Sequence, residues 1–524
     1  MKSRPLSIFL LKNNFNAQNA LKDDNSLEEV KDVQLPANAK LFLANTPLNE
    51  PWWKSYLGLQ MDLLQGLKGA ILFLPVASRT FVFTFGNVYH NLKDESYEYD
   101  FGLLTTLNSI DPNALKSTDV LRPENALRQR IQTPQSSDLT FFDFDRDSSV
   151  IKRLTGKVKE EYKALFTNTT GANNLRITTR KNLSDLPALC SELLEIYEKE
   201  DYKTLFPDLH NIRPVKDPSR VSLLNEALIC ELRRRSQDVL LTIPDITDYN
   251  NIYAIKFSEN RNSNSYDDIG ITAFYAEIGD NLHSLTVEML RSEYPVTVYD
   301  ENNHPLFHNS LYKSLIWDYA NEHGETFHLC DGNWYQVEQQ YLTNLTRAID
   351  IAFTDYELPA FTQRTEGEYN ANIPSLDRSF ICLDEKNIAP VGESSVEPCD
   401  LYKVENGIAH YIHVKKGTRS SLLSHLFNQG VNSIVLIHSD EGSKEKMKEL
   451  VRSSIASNSL SDYWAPVENK RAKVIFAIIS PKESALKSKI LPLFSRISLK
   501  RTIQSLKSMN VDFAVTIIKD ASKK

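Results

Sequence analysis

Apolar positions along the chain recur in two rhythms, one of strand length and one of helical spacing. In the first third, Ser7–Leu11, Ala70–Val76 and Thr80–Thr84 are short apolar runs that predict strands. Ala77–Arg79 predicts the turn between the second and third. Asp100–Leu107 reads as a further strand ended by Asp111-Pro112, and Gln132–Ser137 as a polar loop. The rhythm changes at Asp185–Glu200, where Leu186, Leu189, Leu193 and Ile196 share one helical face. Val221–Arg235 repeats that spacing. Polar Ser258–Asp268 predicts a loop. Phe327–Val337 predicts a hairpin turning at Asp331-Gly332, and Gln339–Phe353 a helix.

In the last third, strands alternate with helices. Strands are expected at Ser379–Leu383, Ser395–Leu401, His410–Lys415, Ser433–His438, Lys473–Ile479 and Phe513–Ile518. Helices are expected at Ser420–Gln429, Lys444–Ile455 and Leu499–Met509. The pattern predicts a mixed α/β chain of several domains, divided as 1–170, 171–353 and 354–524. The last is a sheet flanked by helices.

Composition narrows the class. The chain has 524 residues, 41% hydrophobic and 24% charged, enough for substantial cores and too apolar for a disordered chain. The five cysteines are scattered without a CxxC pair, which predicts free thiols in a reducing compartment. The run Ile8–Leu11 is too short for a signal h-region, and no segment approaches a membrane span of roughly 18 apolar residues. The expectation is a cytoplasmic protein without membrane contact. The net charge of -8 hides an asymmetry: residues 401–524 hold 21 Lys/Arg and 10 Asp/Glu, which leaves the rest of the chain at −19. A basic region on an acidic body suits a polyanion partner. A solvated lysine-rich surface gives the same count.

Candidate chemistry concentrates in residues 394–430, SSVEPCDLYKVENGIAHYIHVKKGTRSSLLSHLFNQG. Asp400 lies at a strand end, and Asn406-Gly407 reverses the chain. In the next strand His413 and Lys415 share a face by alternation. A helix follows. Ser424, His425 and Gln429 on it either face the site or pack. Acid strand, H-x-K strand and helix, in that order, resemble the PD-(D/E)xK restriction-endonuclease-like core. In that resemblance Asp400 takes the place of the first acid and Lys415 that of the lysine. Glu366, with Glu368 as its neighbouring rival, takes that of the upstream glutamate. His413 stands where the pattern has a second acid. The resemblance implies a divalent metal, Mg²⁺ or Mn²⁺, held by Glu366 and Asp400. His413 would ligate it or position water, and Lys415 would orient the nucleophile or stabilise charge. His in place of an acid shifts preference toward Mn²⁺, or marks a site that binds without cutting.

Other signals are weaker. Arg496, Lys500, Arg501 and Lys507 lie largely apart from the apolar stripe Leu499, Ile503 and Leu506 and are candidate phosphate contacts. Arg233–Arg235 more simply complement a helix dipole. His323, His328 and Cys330 fall one short of a structural zinc set. Neither GxxxxGK[ST] nor GxGxxG occurs, and no GxSxG elbow.

The whole chain, from residue 6 to residue 518, is also similar to a sporadically distributed bacterial family of unassigned function. The residues that carry this are FVFTFGNVYHNL (81–92), YDFGLLTTLNSIDP (99–112), RDSSVIKRLTG (146–156), DGNWYQV (331–337), EGEYN, the EPCDL…IHVKK…SSLLSHLFNQG block and LPLFSRISLKRTIQSL (491–506). Its patchy occurrence implies mobile or defence-associated loci and an anti-phage role. The expectation is a defence-associated, metal-dependent nuclease acting on DNA or RNA. A phage-derived trigger or partner protein and a homo-oligomer are also allowed. The alternative is a non-catalytic nucleic-acid-binding or phage-sensing protein on a degenerate nuclease fold.

Overall fold

The structure is a computed structural model. It describes residues 2–23, 25–31, 33–45, 48, 50–64, 66, 68–122, 127–142, 150–206, 212–244, 252–258, 263–300, 305–390, 392, 394–455 and 460–522. Parts of the expected loop 258–268 and of the segment 146–156 lie outside these. The fold is mixed α+β and multidomain. It divides into two compact units, one of Met1–Leu121 with Arg128–His210, the other of Arg122–Leu127 with Asn211–Lys524. Among the described residues no helix is long and apolar enough to cross a membrane.

The first unit is built on a ten-stranded sheet. Its centre is the strand Arg4–Leu10, flanked by Arg79–Phe85 and Leu175–Thr179 in antiparallel register. Helix Leu186–Glu198 covers it with Leu189, Leu193 and Ile196 buried, as the spacing predicted. Two expectations fail here. Asp100–Leu107 is not a strand: Phe101–Ser109 is a helix, and seven of its nine residues are buried. A helix buried all round has no polar face to reveal its period. Its Gly102 lets it touch the sheet, since a Cβ there would lie 2.0 Å from the Asn174 carbonyl oxygen. Gln132–Ser137 is not a loop but part of the strand Leu127–Ser137 at the sheet's edge. An edge position tolerates its Pro134.

The second unit begins with a five-stranded sheet containing Leu315–Ala320, Thr326–Cys330 and Asn333–Val337. Asp331 and Gly332 both have positive φ at the expected hairpin turn. One face of this sheet, through Trp317, Phe327 and Leu329, joins a core with helix Pro218–Arg233.

The C-terminal sheet positions the site. Helix α1 (Glu366–Leu376) is followed by β1 (Ile381–Cys382), β2 (Leu401–Glu405) and β3 (Ile408–Lys416). Helices α2 (Ser420–Ser439), α3 (Glu441–Ser454) and α4 (Leu460–Glu468) come next. Then β4 (Ala472–Ser480), α5 (Leu493–Ser508) and β5 (Asp512–Lys519) close the sheet. The strand order is β1-β2-β3-β4-β5. The β1–β2 and β2–β3 pairs are antiparallel, and β3–β4 and β4–β5 are parallel. Alternation divides β3 between two cores. Tyr411 faces α2 and α5, while Ile412 and Val414 face Tyr369 and Ile373 of α1. The expected strand at Ser433–His438 is the second half of α2. Its Ile434 and Ile437 are buried at helical spacing, which overrides their β-branched preference.

Candidate metal centre

The two-residue turn Asn406-Gly407, both at positive φ, folds β3 back on β2 and pairs Leu401 with Ile412. Asp400 therefore stands just before β2 rather than ending a strand. Its backbone N–H donates to the Ile412 carbonyl at 3.0 Å, and its Oδ2 accepts the Val414 N–H at 2.6 Å. The carboxylate is buried, at 7% exposure.

Two other carboxylates meet it. Asp384, in the turn after β1, accepts the Asn370 side-chain N–H from α1 at 3.0 Å. Glu397 accepts the Gln429 side-chain N–H from α2 at 2.7 Å. One oxygen from each of Asp384, Glu397 and Asp400 lies within 4.8 Å of the others. Asn370 is 1% exposed, and its Oδ1 has no hydrogen-bond partner among the described residues. The amide that bonds Asp384 thus keeps a buried neutral oxygen without a partner among the described residues.

The electrostatics follow from the crowding. Burial first, then the charges of Asp384 and Glu397 and a hydrogen bond with Asp384, push the Asp400 carboxyl well above the usual carboxylate range, against the pull of the Val414 N–H. Burial first, then the charges of Asp384 and Glu385, also raise Glu397, against the Gln429 hydrogen bond. Like charges this close resist joint ionisation unless a cation joins them. The donors are all oxygen, the set that suits a hard divalent cation such as Mg²⁺ or Mn²⁺.

The sequence-derived residues fall in different places. Lys415 pairs with Glu366 at 2.8 Å, and the other Glu366 oxygen accepts the Lys416 backbone N–H at 2.8 Å. Glu366 is thus bound to the end of β3 and lies outside the three-acid group. Its rival Glu368 completes a capping box with Thr365 at the start of α1. His413 is fully buried with its ring 6.2 Å from Phe476, and neither nitrogen has a partner among the described residues. Burial pulls its pKa down to about 3, so the ring is neutral. Of the residues on α2 left open by the sequence, Gln429 binds Glu397, and Ser424 packs on Ser498.

The four basic residues of α5 do not form one open stripe. Arg496 is half-buried and donates through Nε to the Leu491 carbonyl at 2.8 Å. Lys500 lies over the Tyr341 ring at 6.0 Å and Lys507 over Phe513 at 5.6 Å. Arg501 is half-buried. His328, one of the zinc candidates, donates to or accepts from Asp318 at 2.8 Å.

Sequence reasoning missed Asp384, Glu397 and Asn370. Glu397 carried a faint signal three positions before Asp400 in EPCD. Asp384 carried none, because its place depends on a two-residue strand and on α1.

A family model described only as a family of unknown function (DUF6119) matches residues 6–519. No curated protein and no solved structure matches the chain.

Proposed function

We propose, from the premise that the chain belongs to the family of unknown function DUF6119, that it is a metal-dependent nuclease of bacterial defence, cleaving phosphodiester bonds in DNA or RNA in the cytoplasm. The observation that carries this reading is the convergence of Asp384, Glu397 and Asp400 at the start of β2, beside the strand that bears Lys415. The order of helix α1, strands β1 to β3, helix α2 and parallel strand β4 supports it, because it is the order expected of a restriction-endonuclease-like core. The defence context rests on the sporadic occurrence of the resembling family.

In this reading the three carboxylates hold the cation, with Asn370 Oδ1 as a further oxygen. A bound divalent cation would polarise the phosphoryl oxygen and ionise a water. Lys415, held by Glu366, places positive charge at the end of β3 for the charge that develops on the phosphoryl group. Asn370 and Gln429 fix the rotamers of Asp384 and Glu397, so the cage is assembled before metal arrives. Neutral, buried His413 fills the position of a second acid without adding charge.

That same buried histidine favours the second reading, a nuclease-like fold that binds nucleic acid without cutting. The deciding experiment incubates wild type and Asp384→Asn with plasmid, single-stranded DNA and RNA, each with Mg²⁺, Mn²⁺ or EDTA. Cleavage by wild type alone, and only with metal, is the expected result. Metal-independent, salt-sensitive binding equal in both proteins, without cleavage, replaces the nuclease by a binding protein.

A further inference from the structure

At the end of the sheet where β3 and β4 finish, the chain enters helices twice. Gly417, at φ +101, turns it out of β3 while its N–H donates to the Ile479 carbonyl at the end of β4. Helix α2 then starts at Ser420, and α5 starts at Leu493 after β4. Their N-cap residues, Arg419 and Pro492, give neither helix a side-chain cap. The first-turn N–H groups of both helices thus lack an intrahelical partner and carry the positive end of the dipole. The Ser420 and Ser495 hydroxyls, 3.2 Å apart, hold the two first turns together.

These helix starts line a cavity of about 250 Å³ whose wall also carries Arg419, Lys482, Lys489 and Arg496. None of the four is neutralised by an acid at ion-pair distance among the described residues. Lys482 donates to the Ile490 carbonyl at 3.2 Å and Arg496 to the Leu491 carbonyl, and among the described residues Arg419 and Lys489 have no such partner. The acids of the same lining are partly engaged elsewhere. Asp318 is bonded to His328, and Glu231 lies 3.9 Å from Arg234, while Asp238 is exposed. Behind Asp318, His328 is fully buried with its ring against Phe494, and its Nε2 has no partner among the described residues. Burial alone would lower the His328 pKa, but Cys330 and Asp318 beside it raise it to about 9, so Asp318 is held by the histidine rather than left free to repel an anion.

We infer that this cavity is a binding site for a phosphoryl-bearing small molecule, with room for one or two phosphoryl groups between the starts of α2 and α5. Paired helix N-termini supply directed N–H donors, and the lysines and arginines supply charge. The site is separate from the three carboxylates and does not depend on the nuclease reading. Its ligand is either free pyrophosphate or the diphosphate of a nucleotide.

The test is titration calorimetry on the full chain with inorganic pyrophosphate and with ADP, at constant ionic strength and with EDTA throughout. Saturable binding is expected, weakened about tenfold or more by Arg419→Ala combined with Lys489→Ala and unchanged by Asp384→Asn. Both replaced side chains are exposed, so the double variant keeps its fold, which circular dichroism checks. Tighter binding of ADP assigns the phosphates to a nucleotide, and equal or tighter binding of pyrophosphate assigns them to the free anion. No saturable binding of either probe overturns the inference, as does binding that the double variant leaves intact.

Discussion

Two acidic positions near the C-terminal sheet treat charge in opposite ways. Glu366 meets Lys415 and the Lys416 N–H, and its side chain is about 29% exposed. Each charge there has its counterpart. Asp384, Glu397 and Asp400 instead crowd together, bonded to neutral amide donors and to one another rather than to a cation. A paired charge at a surface is explained by the pair. Like charges crowded around the buried Asp400 cost stability, a cost that a bound cation would offset. For the proposed metal, the comparison therefore favours the three-acid group over Glu366, with Asp400 common to both.

The largest expected effect breaks the crowded side. Asp400→Asn keeps an oxygen for the Val414 N–H but removes a charge. Cleavage should fall to background in the plasmid assay. In EDTA the variant should melt at or above the wild-type temperature, because the amide cannot ionise beside Asp384 and Glu397. Mg²⁺ or Mn²⁺ should raise the wild-type Tm and leave the variant unmoved. A metal-free Tm that drops on substitution would mean that the carboxylate is structural.

Next comes Lys415→Ala. If Lys415 stabilises charge in the transition state, kcat should fall on the order of 10²–10³-fold while calorimetric Mn²⁺ affinity stays the same. A parallel loss of metal affinity would place the lysine's effect on the cage instead.

Asp400 and Lys415 were legible because local rules place them. The Asn406-Gly407 turn sets the β2–β3 register, and alternation along β3 sets which face each side chain takes. Asp384 was not legible, since nothing local says that the turn after a two-residue strand returns to Asp400. The misread segments differ in cause. Phe101–Ser109 is helical where burial on several sides erases the polar face, while Ser433–His438 is a short run whose exposed position is the apolar Val435, so it too reads as a strand. Glu366 was found by the sequence, but the sequence could not show that Lys415 and Lys416 occupy both its oxygens.

A third treatment of charge keeps a group neutral by burial. His410, on β3 beyond the crowded acids, meets the Tyr356 hydroxyl at 3.0 Å. Burial and then Lys473 pull its pKa down to about 4, against the opposing charge of Glu405. An unfolded histidine titrates near 6.5. Between those values the unfolded chain binds a proton that the fold refuses. Stability from this group is therefore present above pH 6.5 and lost as pH falls toward 4, at up to about 1.4 kcal/mol per pH unit. Urea titrations of wild type and His410→Gln across that window should show a smaller loss in the variant. Equal slopes would mean that His410 opens to water.

The smallest effect belongs to the paired side. Glu366→Gln removes one charge of a partly exposed pair but keeps an acceptor for the Lys416 N–H. Such pairs contribute about 0–1 kcal/mol, so the Tm should barely move. Mn²⁺ affinity should also be unchanged, because Glu366 lies outside the group formed by Asp384, Glu397 and Asp400. Cleavage should change only to the extent that Lys415 loses its tether, seen as a modest fall in kcat. The contrast with Asp384→Asn is what decides. If Glu366→Gln abolishes metal binding and Asp384→Asn does not, the two regions exchange roles, and the metal belongs with the lysine pair.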